Sequence, residues 1–482
     1  MRFRVMALAL VAAAAVTAVV LPADAAETPV FTSGDVGFSE GGSLDGLAGR
    51  LDAMDAYVGD RKPMLRLDLN WSAVQPAATD EPRFTALDPV VDAAAARGIR
   101  VLLILNYGTT WTGGVHSFPS SDAAWRGIVD ATVTHFGSKV QAYEVWNEPN
   151  YARFGDYGDG SAGVRRARYW QLVRIAHDRV HAGCAGCVVL AGASGVGDAV
   201  SETRNDNESA QWLDWAYANG YKNSFDAVAH HPYPAWNMGR SPSRPECTTR
   251  WWSMFGPPDA KCAELAAVRA VMVARGDSAK KIWGTEFGYP STGTGITKLT
   301  PAAVRDNLEE SVRMWRALDY TGPLFLYSFR DAAVCGPDPA DAECHFGLVD
   351  TAGKPKQPAY DSLQLALTDT RLRTLAPGRS LHRASALRST DGRLELWLRA
   401  DGNLILYLGK TELWKKVGLQ GVRLTNQTDG NLVLFDGAGK RVWSTGAEGR
   451  GVSDLDLQDD GNLVLYPRDK SKKLWSTNTY GH

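Results

Sequence analysis

The sequence predicts two folds in one chain, an α/β part of the (β/α)8 TIM-barrel kind followed by an all-β domain. Three observations predict it. From about residue 34 to 367, eight short β-rich runs alternate with stretches of helical spacing. After residue 368 the helical period stops. Beyond that point an Asp-Gly-Asn motif recurs at Asp401, Asp429 and Asp460, 28 and 31 residues apart. A chain of 482 residues is also too long for one ordinary core, so two domains fit its length.

The elements follow in chain order. Arg2 and Arg4 precede an apolar run from Val5 to Leu21, and Ala23-Asp24-Ala25 reads as a small-residue cleavage site. At 17 residues, mostly alanine and valine, the run is short for a membrane anchor. A signal peptide over 1–25 is therefore expected, with export of a protein that carries no further membrane segment.

Strands are expected at "VGFSE" (36–40), "MLRLDL" (64–69), "RVLLILN" (100–106), "VQAYEVW" (140–146), "CVVLAGA" (187–193), "FDAVAHH" (225–231), "KIWGTEF" (281–287) and "PLFLYSF" (323–329). Many are nearly continuous apolar, as in strands buried on both faces. Residues 87–98, 165–183 and 301–320 repeat apolar positions at three and four, which is helix spacing. The barrel is assigned to 27–370. "TDTRLRTLAPGRS" (368–380), with Pro377 and Gly378, reads as a linker. In 374–482 each Asp-Gly-Asn copy runs into an apolar strand and is followed by a tryptophan strand holding Trp414, Trp443 or Trp475.

The 52 basic and 54 acidic residues are close to balance, which argues against a nucleic-acid or anionic-membrane partner. Sixteen tryptophans suit a core, and also a surface on which sugar rings stack. Six cysteines allow fifteen pairings; their three sequence-near couples favour 184–187, 247–262 and 335–344 as loop staples. A thioredoxin-type reading of Cys184-Ala-Gly-Cys187 is disfavoured, because the pair follows a helix instead of starting one. His177 and His181 would share one helix face, as in a zinc-protease helix, with Asp178 where a glutamate would stand. No third ligand is apparent, so no metal and no cofactor are expected.

"AYEVWNEPN" ends the fourth candidate strand at Asn147-Glu148-Pro149-Asn150, and "IWGTEFGYPS" ends the seventh at Glu286. Strand carboxyl ends form the working face of such a barrel. Two carboxyl groups over one mouth, one protonated and one ionised, are what glycoside hydrolysis needs. Arg66 sits on the second strand with Asp68 on the same face, where the two could form an ion pair without excluding another role for Arg66. His231-Pro232-Tyr233 closes the sixth strand, Asn106 the third and Phe329 the eighth. Trp71, Trp111, Trp146 and Trp236 lie at or past strand ends and are cleft candidates, each equally suited to a core.

These motifs resemble the retaining glycoside hydrolases of clan A, families 39 and 5 most. The resemblance implies Glu148 as acid/base, Glu286 as nucleophile, and a covalent intermediate. It also implies that Asn147 binds the sugar 2-hydroxyl, that Tyr233 holds Glu286 and that Arg66 keeps it ionised. His231, Asn106 and Phe329 complete the expected substrate-binding set. One departure stands out: "LFLYSFRD" has no tryptophan at the end of the eighth strand, where the family places a sugar platform. Tyr327 or Phe329 is the expected substitute.

The repeats read Q-x-D-x-N-x-V-x-Y and resemble the bulb-type mannose-binding lectins, a β-prism of three sheets. The third copy is complete, with Gln458, Asp460, Asn462, Val464 and Tyr466 on one strand face. The second has Gln427, Asp429, Asn431 and Val433, with Phe435 for tyrosine. The first keeps Asp401, Asn403 and Tyr407, with Arg399 for glutamine and Ile405 for valine. The expected order of strength is third, second, first. Asp-Gly-Asn is also plain turn chemistry, a reading that weighs most on the first copy. Together the two resemblances imply a secreted, monomeric retaining β-glycosidase held near a mannose-containing glycan. A non-catalytic glycan-binding protein and a transglycosylase are the alternatives.

Overall fold

The computed structural model of the chain describes residues 30–40, 44–59, 62–194, 209–233, 264–293, 299–332, 341–368, 374–382, 385–399 and 401–482. The apolar leader, Trp236, Cys247, Cys262 and Cys335 lie outside them.

Eight parallel strands close into a barrel: β1 Val36–Ser39, β2 Met64–Asn70, β3 Arg100–Asn106, β4 Ala142–Asn147, β5 Val188–Ser194, β6 Ala227–His230, β7 Ile282–Phe287 and β8 Thr321–Leu326. Closure is made by β1 against β8, with Val36 opposite Leu324. The strand period of two sorts side chains between two cores. Met64, Leu102, Ala142, Leu190, Ala227, Ala229, Trp283 and Phe325 cluster together as the apolar filling of the barrel. The intervening residues join the larger core under the surrounding helices. Two steps along β2 from Met64 comes Arg66, and two along β4 from Ala142 comes Glu144. Charge is thereby layered directly above an apolar floor, toward the strand ends.

Helices Asp122–Phe136, Ala162–Gly183 and Pro301–Ala317 are capped by Ser121, Ser161 and Thr300, whose hydroxyls accept backbone N–H bonds of the first turn. The predicted strand β8 is displaced. It begins at Thr321 and ends at Leu326, so Tyr327, Ser328 and Phe329 lie beyond it. Among the described residues no helix is long and apolar enough to cross a membrane. Cys184 and Cys187 form the expected disulfide. Cys344 is disulfide-bonded too.

The carboxyl-terminal part is three four-stranded antiparallel sheets. One contains Ser385–Arg388, Leu394–Leu398, Leu404–Leu408 and Thr411–Lys416. A second contains Arg379–His382, Arg423–Asn426, Leu432–Phe435 and Arg441–Ser444. The third contains Ser453–Leu457, Leu463–Pro467 and Trp475–Ser476, and its last strand is Thr374–Leu375. The stretch read as linker therefore ends inside the prism, because its backbone supplies an edge that the third repeat lacks. The shared core is fifteen leucines and Ala447. Trp414, Trp443 and Trp475 meet edge to face in a triangle with centroids 5.7–5.8 Å apart, one tryptophan per sheet. The glycine of each Asp-Gly-Asn has φ of 82°, 94° or 95°, and a Cβ there would lie within 2.8 Å of backbone.

Barrel and prism touch. Helix Pro301–Ala317 packs against strand Ser385–Arg388. Glu309 on that helix accepts from Ser362 at 2.7 Å and Arg379 at 2.8 Å.

Candidate active site

The mouth of the barrel is organised around Arg66. Buried on β2, its guanidinium spans three strand ends. Nε and Nη2 donate to Glu144 at 2.8 and 3.1 Å, Nη1 donates to Glu286 at 2.5 Å and to Ser39 at 3.0 Å, and Nη2 donates to the Asn147 side-chain oxygen at 3.0 Å. The expected partner Asp68 acts on Arg66 through charge alone. The partner missed in the sequence is Glu144. It lies within an apolar-looking strand, and only the register of β2 and β4 across β3 aims it at Arg66.

Glu286 and Glu148 face one ring. His231, fully buried at the end of β6, sets Nδ1 3.0 Å from Glu148 and 3.6 Å from Glu286. The Tyr233 hydroxyl donates to the second oxygen of Glu286 at 3.3 Å. Burial would raise the Glu286 carboxyl, but the charges of His231 and Arg66 and the bonds from Arg66 and Tyr233 outweigh it and hold it below the usual range. The guanidinium paired with Glu148 is that of Arg153, a long pair at 3.9 Å, with the guanidinium lying over the Tyr151 and Phe154 rings. The two carboxyl groups thus share His231 but differ in that Arg66 and Tyr233 bond Glu286. Backbone strain gathers here. Tyr107, Trp146 and Glu148 adopt φ of 60°, 69° and 42°, unusual for residues with side chains.

Two further acids border the mouth. Asp68 is raised to about 6, by burial and then by the charges of Glu286 and Glu144, against the pull of Arg66. Glu343, on the turn Ala342–His345, is raised to about 7 by burial and by the charges of Glu286, Asp341 and Glu148. Nothing in the sequence pattern points to Glu343, which reaches the site from a loop.

Several expected contacts fall elsewhere. Phe329 is core: it is 3 % exposed, its ring meets Phe38 and Tyr57 edge-on, and its N–H donates to Glu40. Because β8 ends at Leu326, Tyr327 is the aromatic beside the site, packed on Tyr233 and Phe346. Asn106 is 1 % exposed, and its oxygen accepts from the N–H groups of Tyr107 and Asn147. It fixes the start of the loop bearing Glu148 from beneath. Trp71 and Trp146 are core residues, packed on Trp111 and Trp125 or on Phe118. Trp111 alone of the described three keeps some exposure.

On the prism, each copy ties its aspartate to the asparagine N–H two residues on, at 3.0, 2.9 and 2.9 Å for Asp401, Asp429 and Asp460. The asparagine oxygens are held as well: Asn403 by Gly418 N–H, Asn431 by Thr445 and Ala447, and Asn462 by Thr477 and Thr479. The turn reading is thus correct for one oxygen of each pair. It leaves each asparagine amide nitrogen aimed by a fixed oxygen, which is how a rigid sugar contact is built. Ile405, Val433 and Val464 are buried between the polar positions. In the first copy Arg399 donates to the Tyr407 hydroxyl at 2.9 Å and lies 3.5 Å from the free oxygen of Asp401. It occupies the groups that a sugar would need. In the second, Arg423 covers the Phe435 ring at 4.8 Å.

Comparison with known proteins agrees with both parts. No family model matches the chain. The B-type lectin plumieribetin of Scorpaena plumieri is 30% identical over 108 residues, 21% of this chain and 92% of that protein. A mannose-specific lectin of Aloe arborescens is 36% identical over 93 residues, 18% of this chain and 82% of its own. A family 39 glycoside hydrolase from Bacteroides cellulosilyticus superposes with a TM-score of 0.56 at 17% identity, over 90% of this chain and 80% of that one. That likeness establishes the shared fold.

Proposed function

We propose that this chain, which belongs through its carboxyl-terminal repeats to the B-type, mannose-specific lectins, is an exported retaining β-glycosidase acting on a glycan or polysaccharide. The observation that carries the reading is the pairing of Glu148 and Glu286 across His231, with Arg66 bonded to Glu286 and not to Glu148.

In the first step Glu148 gives its proton to the departing glycosidic oxygen while ionised Glu286 attacks the anomeric carbon. Water then hydrolyses the ester, its proton returning to Glu148. Asn147 has its oxygen held by Arg66, so its amide N–H is the group left to donate to the sugar 2-hydroxyl. Tyr233 releases or tightens its bond to Glu286 as the charge on that oxygen is spent. The prism holds the enzyme to mannose-type sugars, the third copy first and the second after it, and weak single sites gain by avidity. Exclusion of water from the ester would make the same residues a transglycosylase.

The test is product release from a panel of β-linked oligo- and polysaccharides, mannans included, by wild type and Glu286→Ala in parallel. New reducing ends from one substrate, reduced by at least about 10⁴-fold in the variant, support the reading. No release from any substrate, with mannan still retained, turns it toward a binding protein.

A further inference from the structure

The helix Ala162–Gly183 carries His177 and His181 one turn apart, and the fold brings them a partner that their sequence neighbourhood lacks. Asp226, the residue before β6, reaches under the end of that helix. One oxygen lies 2.9 Å from His181 Nε2, the other 3.6 Å from His177 Nε2. The three ligand atoms lie within 4.8 Å of one another. We propose that His177, His181 and Asp226 form a site for a divalent transition metal of the zinc type, structural in role.

The chemistry of the other ring atoms carries this. His181 Nδ1 lies 3.3 Å from the carbonyl of Ala185, an acceptor for an N–H at that nitrogen when Nε2 serves as a ligand. Nε2 of the same ring then faces a carboxylate oxygen, so two imidazole nitrogens and a carboxylate converge on one point. His177 repeats the pattern, its Nδ1 3.5 Å from Asp178 and its Nε2 toward Asp226. Metal-binding imidazoles are held in this way, with the far nitrogen bonded to a carbonyl or carboxylate. Asp226 is itself fixed by the Val189 N–H at 2.8 Å. All three side chains are partly exposed, which gives an ion a route in and leaves room for water ligands. Side-chain rotation of about 1 Å brings these atoms to the ligand spacing of a tetrahedral zinc site.

The place suits a staple and not catalysis. The site joins the end of one helix to the starts of β5 and β6, beside the Cys184–Cys187 bridge and at the opposite end of the barrel from Glu148 and Glu286. Residues at that end serve stability.

The experiment uses the full chain after chelator treatment and dialysis. Zinc chloride is titrated at pH 7.5 by calorimetry, with Tm followed in parallel, and cobalt(II) is used as the spectroscopic probe. Wild type is expected to bind one ion per chain with micromolar or tighter affinity. Its Tm should climb with zinc concentration as ligand linkage requires. Four-coordinate cobalt should give intense visible bands. In His177→Ala/His181→Ala, affinity should drop at least a hundredfold, and the cobalt bands and Tm response to zinc should vanish, with mannan retention unchanged. The single variant His181→Gln, which keeps a polar group at Asp226, should lose at least tenfold. Absence of stoichiometric binding by the wild type overturns the proposal. So does equal binding by the double variant, which would put the ion elsewhere, for instance among the carboxyl groups of the mouth.

Discussion

The barrel mouth and the prism faces solve polar recognition in opposite ways. At the mouth one guanidinium binds two acids, an amide and a serine, and one imidazole lies between two carboxyl groups. Each group sets the charge of the next. On the prism the Asp and Asn of each repeat are tied locally, two residues or one strand away, while the copies are joined by a leucine core, the tryptophan triangle and a few polar bonds such as Asn426 to Ser453 and Arg393 to Asp459. The mouth is therefore a coupled unit, whereas the Asp and Asn sets on the prism faces are tied each within its own copy. Changes at the first should be non-additive, and changes at the second confined to their own copy.

The largest effect that sharpens this contrast is expected at Arg66. Arg66→Met strands the buried Glu144, and should cost about 3–5 kcal/mol of barrel stability together with nearly all turnover. Urea denaturation and mannan-column retention measure both sides, and retention should not move. A barrel that loses less than about 1 kcal/mol would mean that the network is not coupled. Next in size, Asp460→Asn should weaken mannose binding at the third copy about tenfold while leaving hydrolysis of a small aryl glycoside intact. Calorimetry with methyl mannoside and a rate assay separate the two.

A smaller effect is pH-dependent. Glu40 is raised to about 7, by burial first, against the Phe329 N–H and Arg50. A raised carboxyl contributes stability that is complete below its unfolded value near 4.5 and is lost as pH climbs through 7. Glu40→Gln should thus gain on the wild type between pH 5 and pH 8, by roughly 2–4 °C in Tm. An equal offset at both pH values would contradict it. Smallest of all, Arg399→Gln frees Tyr407 and Asp401 and should raise mannan avidity a few-fold, read by surface retention. No gain would mean that Ile405, not Arg399, closes the first copy.

The same contrast explains how much was legible beforehand. Repeats announce themselves: Asp-Gly-Asn three times, each with its tryptophan, gives three sheets without any knowledge of their packing. The barrel showed its strands through apolar runs, and Glu148 and Glu286 through the motifs that end two of them. Its network stayed hidden because it runs between strands. The register, not the spacing, aims Glu144 at Arg66, and a loop brings in Glu343. Asp226 reaches His181 across 45 residues. Phe329 was misjudged for a related reason. A shift of three residues in the end of β8 turns a ring expected in the cavity into the core, and leaves Tyr327 at the mouth.

The central claim is that Glu286, held ionised by Arg66 and His231, is the group that bonds to sugar. It is tested most directly by incubating the enzyme with the 2-deoxy-2-fluoro glycoside of its substrate and mapping the adduct by peptide mass spectrometry. A stable ester on Glu286, absent from Glu286→Ala and formed on no other residue, is the predicted result. An ester on Glu148, or turnover with inversion and no adduct, would contradict it.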